Sequence, residues 1–271
     1  MKFIDCSASI GYASVNKYIV NHENYIICEK VDQAQNAEEL LNEMDRCGID
    51  EAMVYHQSVV DVAPTFGNDR LLSDKKAYTG RLKAVLSMLP SITDSEHTVE
   101  KLLEKMKNYN IFGLRAFPKA DRYMLDKITC GDTLDMLIEK KVPLYLSPND
   151  DWEHIYAVMK EFPSLIVIIT NYGLWGSDRY FYPLVNAYKN VYVDTSDFQE
   201  VHGIEAFVNK FGSERMLFGS NFPSDNYGGP ITTLMGAKIS AKDKENIAHL
   251  NAERLWTENL AKGALSNETK N

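Results

Sequence analysis

The chain has 271 residues, of which 45% are hydrophobic and 25% charged, a globular balance that excludes disorder, collagen and coiled coil. It is long enough to bury a large core without staples. Its formal net charge of -9 repels nucleic-acid phosphates and anionic lipid, so neither is an expected partner.

From the N-terminus, Met1-Lys2-Phe3-Ile4-Asp5-Cys6-Ser7 turns polar too soon for a signal peptide. The longest apolar run, Leu165 to Ile169, is far short of the ~20 residues that span a bilayer. Cys6, Cys28, Cys47 and Cys130 form no CxxC pair and suggest neither a zinc site nor a disulfide framework. Free thiols in a soluble, cytoplasmic protein are expected.

Short apolar runs recur along the chain: Phe3–Cys6, Ala52–Tyr55, Leu82–Leu89, Phe112–Phe117, Leu144–Leu146, Leu165–Thr170, Val191–Val193 and Met216–Phe218. Such runs suit strands buried on both faces, as in parallel sheets. Helical patterns lie between them. Leu40, Leu41, Met44 and Cys47 share one face of Ala37–Cys47, as do Val99, Leu102, Leu103 and Met106 further on. Leu134, Leu137 and Ile138 precede the fifth run, and Ile155, Val158, Met159 and Phe162 the sixth. Gly48, Pro143 and Pro163 are helix stops, and Asp151 or Asn149 suits the cap of a helix beginning near Trp152.

Eight strands alternating with helices predict an α/β fold, a (β/α)8 TIM barrel. A doubly wound open sheet is the alternative, but Ser7-Ala8-Ser9-Ile10-Gly11 is not the GxGxxG that such a sheet usually carries. One domain is expected over residues 1–271, with a polar tail over about 262–271. In such barrels active sites form at the C-terminal strand ends. Those ends read Asp5-Cys6-Ser7-Ala8-Ser9, His56, Arg115-Ala116-Phe117-Pro118, Ser147-Pro148-Asn149, Asn171-Tyr172-Gly173, Asp194-Thr195-Ser196-Asp197 and Gly219-Ser220-Asn221-Phe222-Pro223.

Several of these segments resemble the amidohydrolase-related branch of the metal-dependent hydrolases, which includes decarboxylases of the aminocarboxymuconate semialdehyde type. Ile4-Asp5-Cys6-Ser7-Ala8-Ser9 is similar to a first strand ending Asp-x-His-x-His. Val142-Pro143-Leu144-Tyr145-Leu146-Ser147 resembles a fifth strand ending in His. Phe162-Pro163-Ser164-Leu165 through Asn171-Tyr172-Gly173 resembles a sixth ending His-x-Gly. Arg215 through Pro223 resembles the eighth, with its Asp before the aromatic and Pro, and Asn251-Ala252-Glu253-Arg254-Leu255-Trp256 resembles the closing helix.

The resemblance puts the metal ligands at Ser7, Ser9, Ser147, Asn171 and Asn221. Neutral hydroxyls and amides bind zinc, iron or manganese weakly, so no metal and no other cofactor is expected. Asn221 stands where the family's Asp handles the proton of the attacking water, and an amide is not a base. Related pyrone dicarboxylate lactonases dispense with metal but keep that Asp.

The candidates for proton transfer are therefore Asp5, His56, Asp194 and Asp197. Asp5 equally suits a structural clasp between strand ends, and His56 a structural histidine. Arg115 suits a substrate carboxylate held bidentately, or an ion pair with Asp5, Asp194 or Asp197. Ser7, Ser9, Ser147, Asn171 and Asn221 suit a hydrogen-bonding ligand cavity, or bonds among themselves and water. Tyr12, Tyr172 and Trp175 are candidates to line the mouth. His202 lies in a loop, and His22, His97, His154 and His249 read as surface or structural. Ser196 lacks a nucleophile elbow.

Two functions follow. One is a metal-independent enzyme acting on a small polar or carboxylate-bearing molecule, with the hydrolysis or decarboxylation of small acids, lactones or amides as its ancestry. The other is a catalytically inactive barrel that binds a small polar ligand or a partner protein. The resemblance also implies a homodimer.

Overall fold

The computed structural model describes residues 1–11, 34–74, 78, 80–173, 177–198 and 200–262. Eight parallel strands follow one another around a single sheet in chain order. They are β1 (Ile4–Ile10), β2 (Glu51–His56), β3 (Leu82–Ser87), β4 (Ile111–Arg115), β5 (Leu144–Leu146), β6 (Val167–Ile169), β7 (Val191–Asp194) and β8 (Met216–Leu217). The ring closes where the Cys6 amide donates to the Phe218 carbonyl at 2.8 Å and the Ser9 amide to the Phe222 carbonyl at 2.9 Å. This is the expected (β/α)8 barrel.

The helices form where side-chain caps meet a one-sided apolar pattern. Asn36 accepts from the Glu39 amide at the head of Ala37–Cys47, Leu40 and Met44 are buried, and Gly48 ends it at φ 74°. A left-handed residue there suits glycine, which has no Cβ to clash. Thr98, Asp126 and Asp151 cap Val99–Asn108, Lys127–Lys140 and Trp152–Glu161 in the same way. Of the two caps considered for the last helix, Asp151 is the one used.

Inside the barrel Ile4, Cys6, Met53, Val85, Phe112, Tyr145, Ile168 and Leu217 form one apolar cluster. The other faces of the strands pack under the helices in a second, larger one. The helix Asn251–Glu258 packs onto the inner cluster from the N-terminal end through Ala252, Leu255 and Trp256. The Trp256 and Phe112 rings stack at 6.4 Å, and Asn259 Nδ2 donates to the Phe112 carbonyl at 3.2 Å. These contacts floor the barrel.

The first strand is longer than the apolar run Phe3–Cys6. It continues to Ile10 and shifts register between Asp5 and Ala8. Ser7 and Ser9 thus lie within β1 rather than beyond it. Small polar residues carry the ladder on where the barrel interior turns from apolar to polar. Hydropathy alone ends the strand too early for that reason.

Candidate functional site

Two carboxylates have no exposed surface, Asp5 near the start of β1 and Asp194 at the end of β7. Asp5 accepts from the Ser7 amide at 3.0 Å, the Ser220 amide at 2.9 Å and the Ser220 hydroxyl at 2.5 Å. It therefore clasps β1 to the segment after β8. Burial pushes its carboxyl up, and these donors oppose the shift.

Asp194 accepts from the Ser196 amide at 3.0 Å and from the Ser196 hydroxyl. Burial lifts this carboxyl to about 7, against hydrogen bonds from Ser196 and Thr170 and the charge of Arg115.

Arg115 ends β4 and is 5% exposed. Its guanidinium carbon lies 4.5 Å from the Tyr55 ring centroid and 5.1 Å from that of Phe117, an arrangement favourable to a desolvated cation. Nη2 donates to Asn171 Oδ1 at 3.0 Å, while Nε is buried without a partner. The ion pair with Asp5, Asp194 or Asp197, weighed as an alternative from the sequence, does not form. Among the described residues Arg115 makes no salt bridge, its one side-chain hydrogen bond going to an amide.

From Asn171 the network runs across the mouth. Its Nδ2 donates to Asn221 Oδ1 at 3.0 Å and to Asp197 Oδ2 at 3.2 Å. Asn221 Nδ2 donates to Asp225 Oδ2 at 3.0 Å. Asp197 and Asp225 thus lie on the same amide network. Burial and the charge of Asp225 push the Asp197 carboxyl up, with Asn171 opposing. Asn171, Asp197 and Asn221 all have left-handed backbones, at φ 54°, 55° and 59°. Asn and Asp tolerate that region better than most side chains.

The other small polar candidates separate. The Ser7 hydroxyl meets Thr170 at 3.1 Å, and Thr170 meets the Ser196 hydroxyl at 3.2 Å. Ser196 in turn accepts from the Asn171 amide at 2.9 Å. Ser9 donates to the Phe222 carbonyl at 3.4 Å, and Ser147 accepts from the Asn149 amide at 3.2 Å. So Ser7, Asn171 and Asn221 join one network, while Ser9 and Ser147 serve local backbone.

His56 ends β2, and its Nδ1 accepts from the Ser58 amide at 3.1 Å, which leaves the ring proton of the neutral form on Nε2. The ring rests on Gly11, where a Cβ would fall 2.1 Å from it. Burial and the charge of Arg70 hold its pKa down. These contacts do not bring it to Asp5, Asp194 or Asp197.

Tyr172 is 2% exposed, and its ring packs on Phe181 and Phe198 at 4.9 and 5.1 Å. Its hydroxyl donates to Asp178, so it belongs to the helix layer rather than lining the mouth. His202 is exposed and faces Glu205. His97 is buried, bonded to Thr65 and to the Leu89 amide. Tyr12, His22, Cys28 and Trp175 lie outside the described residues.

Sequence reasoning missed Thr170, Asp225, Asp121 and Asp150. Asp121 is pushed up to about 6 by burial and by the charge of Asp150, and Asp150 in turn feels Arg115. The available signal was their position past strand ends four, five, six and eight, Thr170 directly after β6 and the three aspartates further along their loops.

A parallel barrel with polar residues gathered at the strand ends defines the class. The amidohydrolase family model matches residues 29–257, and the chain belongs to that family. No curated protein matches it. Among solved structures, an uncharacterized TIM-barrel protein from Bordetella bronchiseptica is 18% identical, with a TM-score of 0.74 over 95% of this chain and 99% of that one. The 5-carboxyvanillate decarboxylase of Novosphingobium aromaticivorans, complexed with manganese and 4-hydroxy-3-methoxy-5-nitrobenzoic acid, is 15% identical, with a TM-score of 0.73 over 94% and 96%. The 2,6-dihydroxybenzoate decarboxylase of Rhizobium is 14% identical, with a TM-score of 0.68 over 95% and 99%.

A divalent transition metal does not fit the donors found here. Ser7, Ser9, Ser147, Asn171 and Asn221 offer only neutral hydroxyls and amides, already engaged with one another, with Thr170 or with backbone. Among the described residues no group of three or more His, Cys, Asp or Glu could hold a metal ion. No described helix is long and apolar enough to cross a membrane.

Proposed function

We propose that this barrel is a metal-independent acid–base enzyme acting on a small carboxylate-bearing molecule at its C-terminal mouth. One observation carries the reading: Arg115 is a buried guanidinium stacked on two rings, with an unpartnered Nε. A buried charge is costly until an opposite charge meets it. A ligand carboxylate supplies that charge, and guanidinium suits it geometrically. The carboxylate-bearing compounds named for the neighbouring decarboxylases support the same class of ligand.

Proton transfer falls to Asp197, one Asn171 amide away from Arg115. Burial and the nearby charge of Asp225 favour its protonated form, with Asn171 opposing. That form donates to the substrate, and Asp197 regains its proton from water or product. Asp194, poised near neutrality, is a second group of this kind. Asp5 is assigned to closing the barrel and His56 to ending β2. A cytoplasmic location goes with this reading, in keeping with the unpaired thiols of Cys6, Cys47 and Cys130.

The engagement of Asp5 and of one Asp194 oxygen in internal bonds favours a second reading, a barrel that binds without turnover. The test is calorimetry with a panel of hydroxybenzoates and small dicarboxylates, followed by turnover assays in a chelator. Binding that vanishes in Arg115→Gln is expected. Turnover above about 1 s⁻¹, an ordinary enzyme rate, supports the enzyme. Binding alone supports the second reading, and no carboxylate binding at all overturns both.

A further inference from the structure

The loop that leaves β3 is tied down by one buried histidine. His97 closes the short turn Ser95–His97 and has no exposed surface. Its Nδ1 lies 3.0 Å from the Leu89 amide. A backbone N–H only donates, so Nδ1 is bare and the neutral ring keeps its hydrogen on Nε2. Nε2 in turn lies 3.1 Å from Thr65 Oγ1, and the Thr65 hydroxyl donates to Asp94 Oδ2 at 2.8 Å. Every hydrogen along Leu89, His97, Thr65 and Asp94 thus has one acceptor. Thr65 lies in the first turn of the helix Pro64–Leu72. Asn68 of that helix also holds the end of β3, through two hydrogen bonds of 2.8 Å with the Ser87 backbone.

The tie reaches the mouth. Between Ser87 and Leu89, the Met88 amide donates to the Arg115 carbonyl at 3.0 Å, and the Met88 carbonyl accepts from the Tyr123 hydroxyl at 3.2 Å. Anchoring Leu89 therefore bears on the backbone that presents Arg115.

This arrangement suits one charge state only. A second proton on the ring goes to Nδ1, which then meets the Leu89 N–H donor to donor. Burial keeps the ring neutral. The charges of Asp94, Glu96 and Asp69 oppose that effect, and the charge of Lys105 adds to it. Lys105 is itself 3.3 Å from the Glu96 carboxylate.

We infer that His97 is a proton-operated latch on the β3 loop: neutral, it holds the Leu89 amide and steadies the Arg115 strand end, and on taking a proton from solvent at Nδ1 it lets Leu89 go and loosens that end. The latch stands apart from the carboxylate reading above, and only its effect on ligand binding rests on that reading.

The test is hydrogen exchange by mass spectrometry on the full chain, from about pH 7.5 to 4.5, with wild type beside His97→Asn. The Asn amide oxygen stands near the place of Nδ1 and accepts from Leu89 without titrating. Relative to the variant at each pH, exchange in residues 88–97 of wild type is expected to rise about 10-fold as pH falls, the effect of losing one buried hydrogen bond. Nitrogen-15 spectra of the wild-type histidine rings need no variant. His97 Nδ1 should be bare at neutral pH and gain its proton over the range in which exchange rises.

Salicylate, whose carboxylate stays ionised over this range, probes the link to Arg115 by calorimetry. Its affinity for wild type relative to His97→Asn should fall at least about 5-fold as pH drops, the lower end of coupling between linked sites. Titration of Asp194 and Asp197 is common to both proteins and leaves that ratio unchanged. A proton on Nδ1 at neutral pH overturns the latch, as does exchange that matches in wild type and variant at every pH. Rising exchange with a flat salicylate ratio overturns the link to Arg115. If salicylate does not bind wild type at any pH, that link falls with the carboxylate reading, and the exchange result alone decides the latch.

Discussion

Gly219 and Asp194 occupy space that neither could share with a larger neighbour, since a Cβ on Gly219 would lie 2.9, 3.0 and 3.1 Å from Asp194 Cγ, Cβ and Oδ1. Thr195 reinforces the arrangement by donating to the Gly219 carbonyl and accepting from its amide. Gly219→Ala is therefore expected to cost about 1–3 kcal/mol by overpacking. In a double-mutant cycle Asp194→Ala should recover part of that loss, because it removes the clashing carboxyl. Urea unfolding measures both, and strictly additive losses would show that the two residues do not compete for space.

The raised carboxyl of Asp194 also sets a pH dependence. Its ordinary value is 3.8, and burial lifts it to about 7. Between those values the native chain holds a proton that the unfolded chain has released. The stability this group contributes is fully present below about pH 4 and is lost as pH rises through about 7. His56 and His97, whose pKa values burial lowers from 6.5, act in the opposite sense, adding stability as pH rises toward that value. The difference between wild type and Asp194→Asn isolates the aspartate. Wild type should lose stability relative to the variant between pH 5 and 7.5, and parallel pH profiles would contradict the assignment.

Replacing Arg115 separates stability from binding. Arg115→Met keeps a long apolar stem on Tyr55 and Phe117 and removes a charge with no carboxylate partner. Removing such a charge is expected to be neutral, or stabilising by ~1 kcal/mol, in the free protein. Carboxylate binding should fall at least about 100-fold, as when a buried charge pair is broken. A large drop in melting temperature without ligand would mean that Arg115 serves the fold first.

Metal analysis gives the remaining check. After dialysis the protein should carry well under one zinc, iron or manganese per chain, and added manganese should not raise its melting temperature. A metal bound by the native state would stabilise it by mass action. About one equivalent, lost when Asp197 and Asp225 are replaced together, would show that the mouth carboxylates have become ligands.

The barrel was legible because each apolar run keeps its buried character whatever its neighbours do. The helix Ala37–Cys47 was readable to the residue, since Leu40, Met44 and Gly48 mark both its face and its end. Arg115, Asn171, Asn221 and Asp197 were legible as strand-end residues and do meet in one network. Tyr145 was not. Within Leu144–Leu146 it reads as apolar wall, and only the register of β4 on β5 sets it beside Arg115. Asp225 was hidden for a similar reason. Its place beside Asp197 depends on how the chain turns after β8, which no hydropathy pattern records.

The floor made by Trp256 and Phe112 has a kinetic consequence. With one end of the barrel sealed, arrival and departure share a single doorway. A molecule too bulky to descend, but able to rest on the rim at Asn171 and Asn221, would act as a stopper. It would slow the escape of a small occupant beneath it while touching none of the groups that hold that occupant.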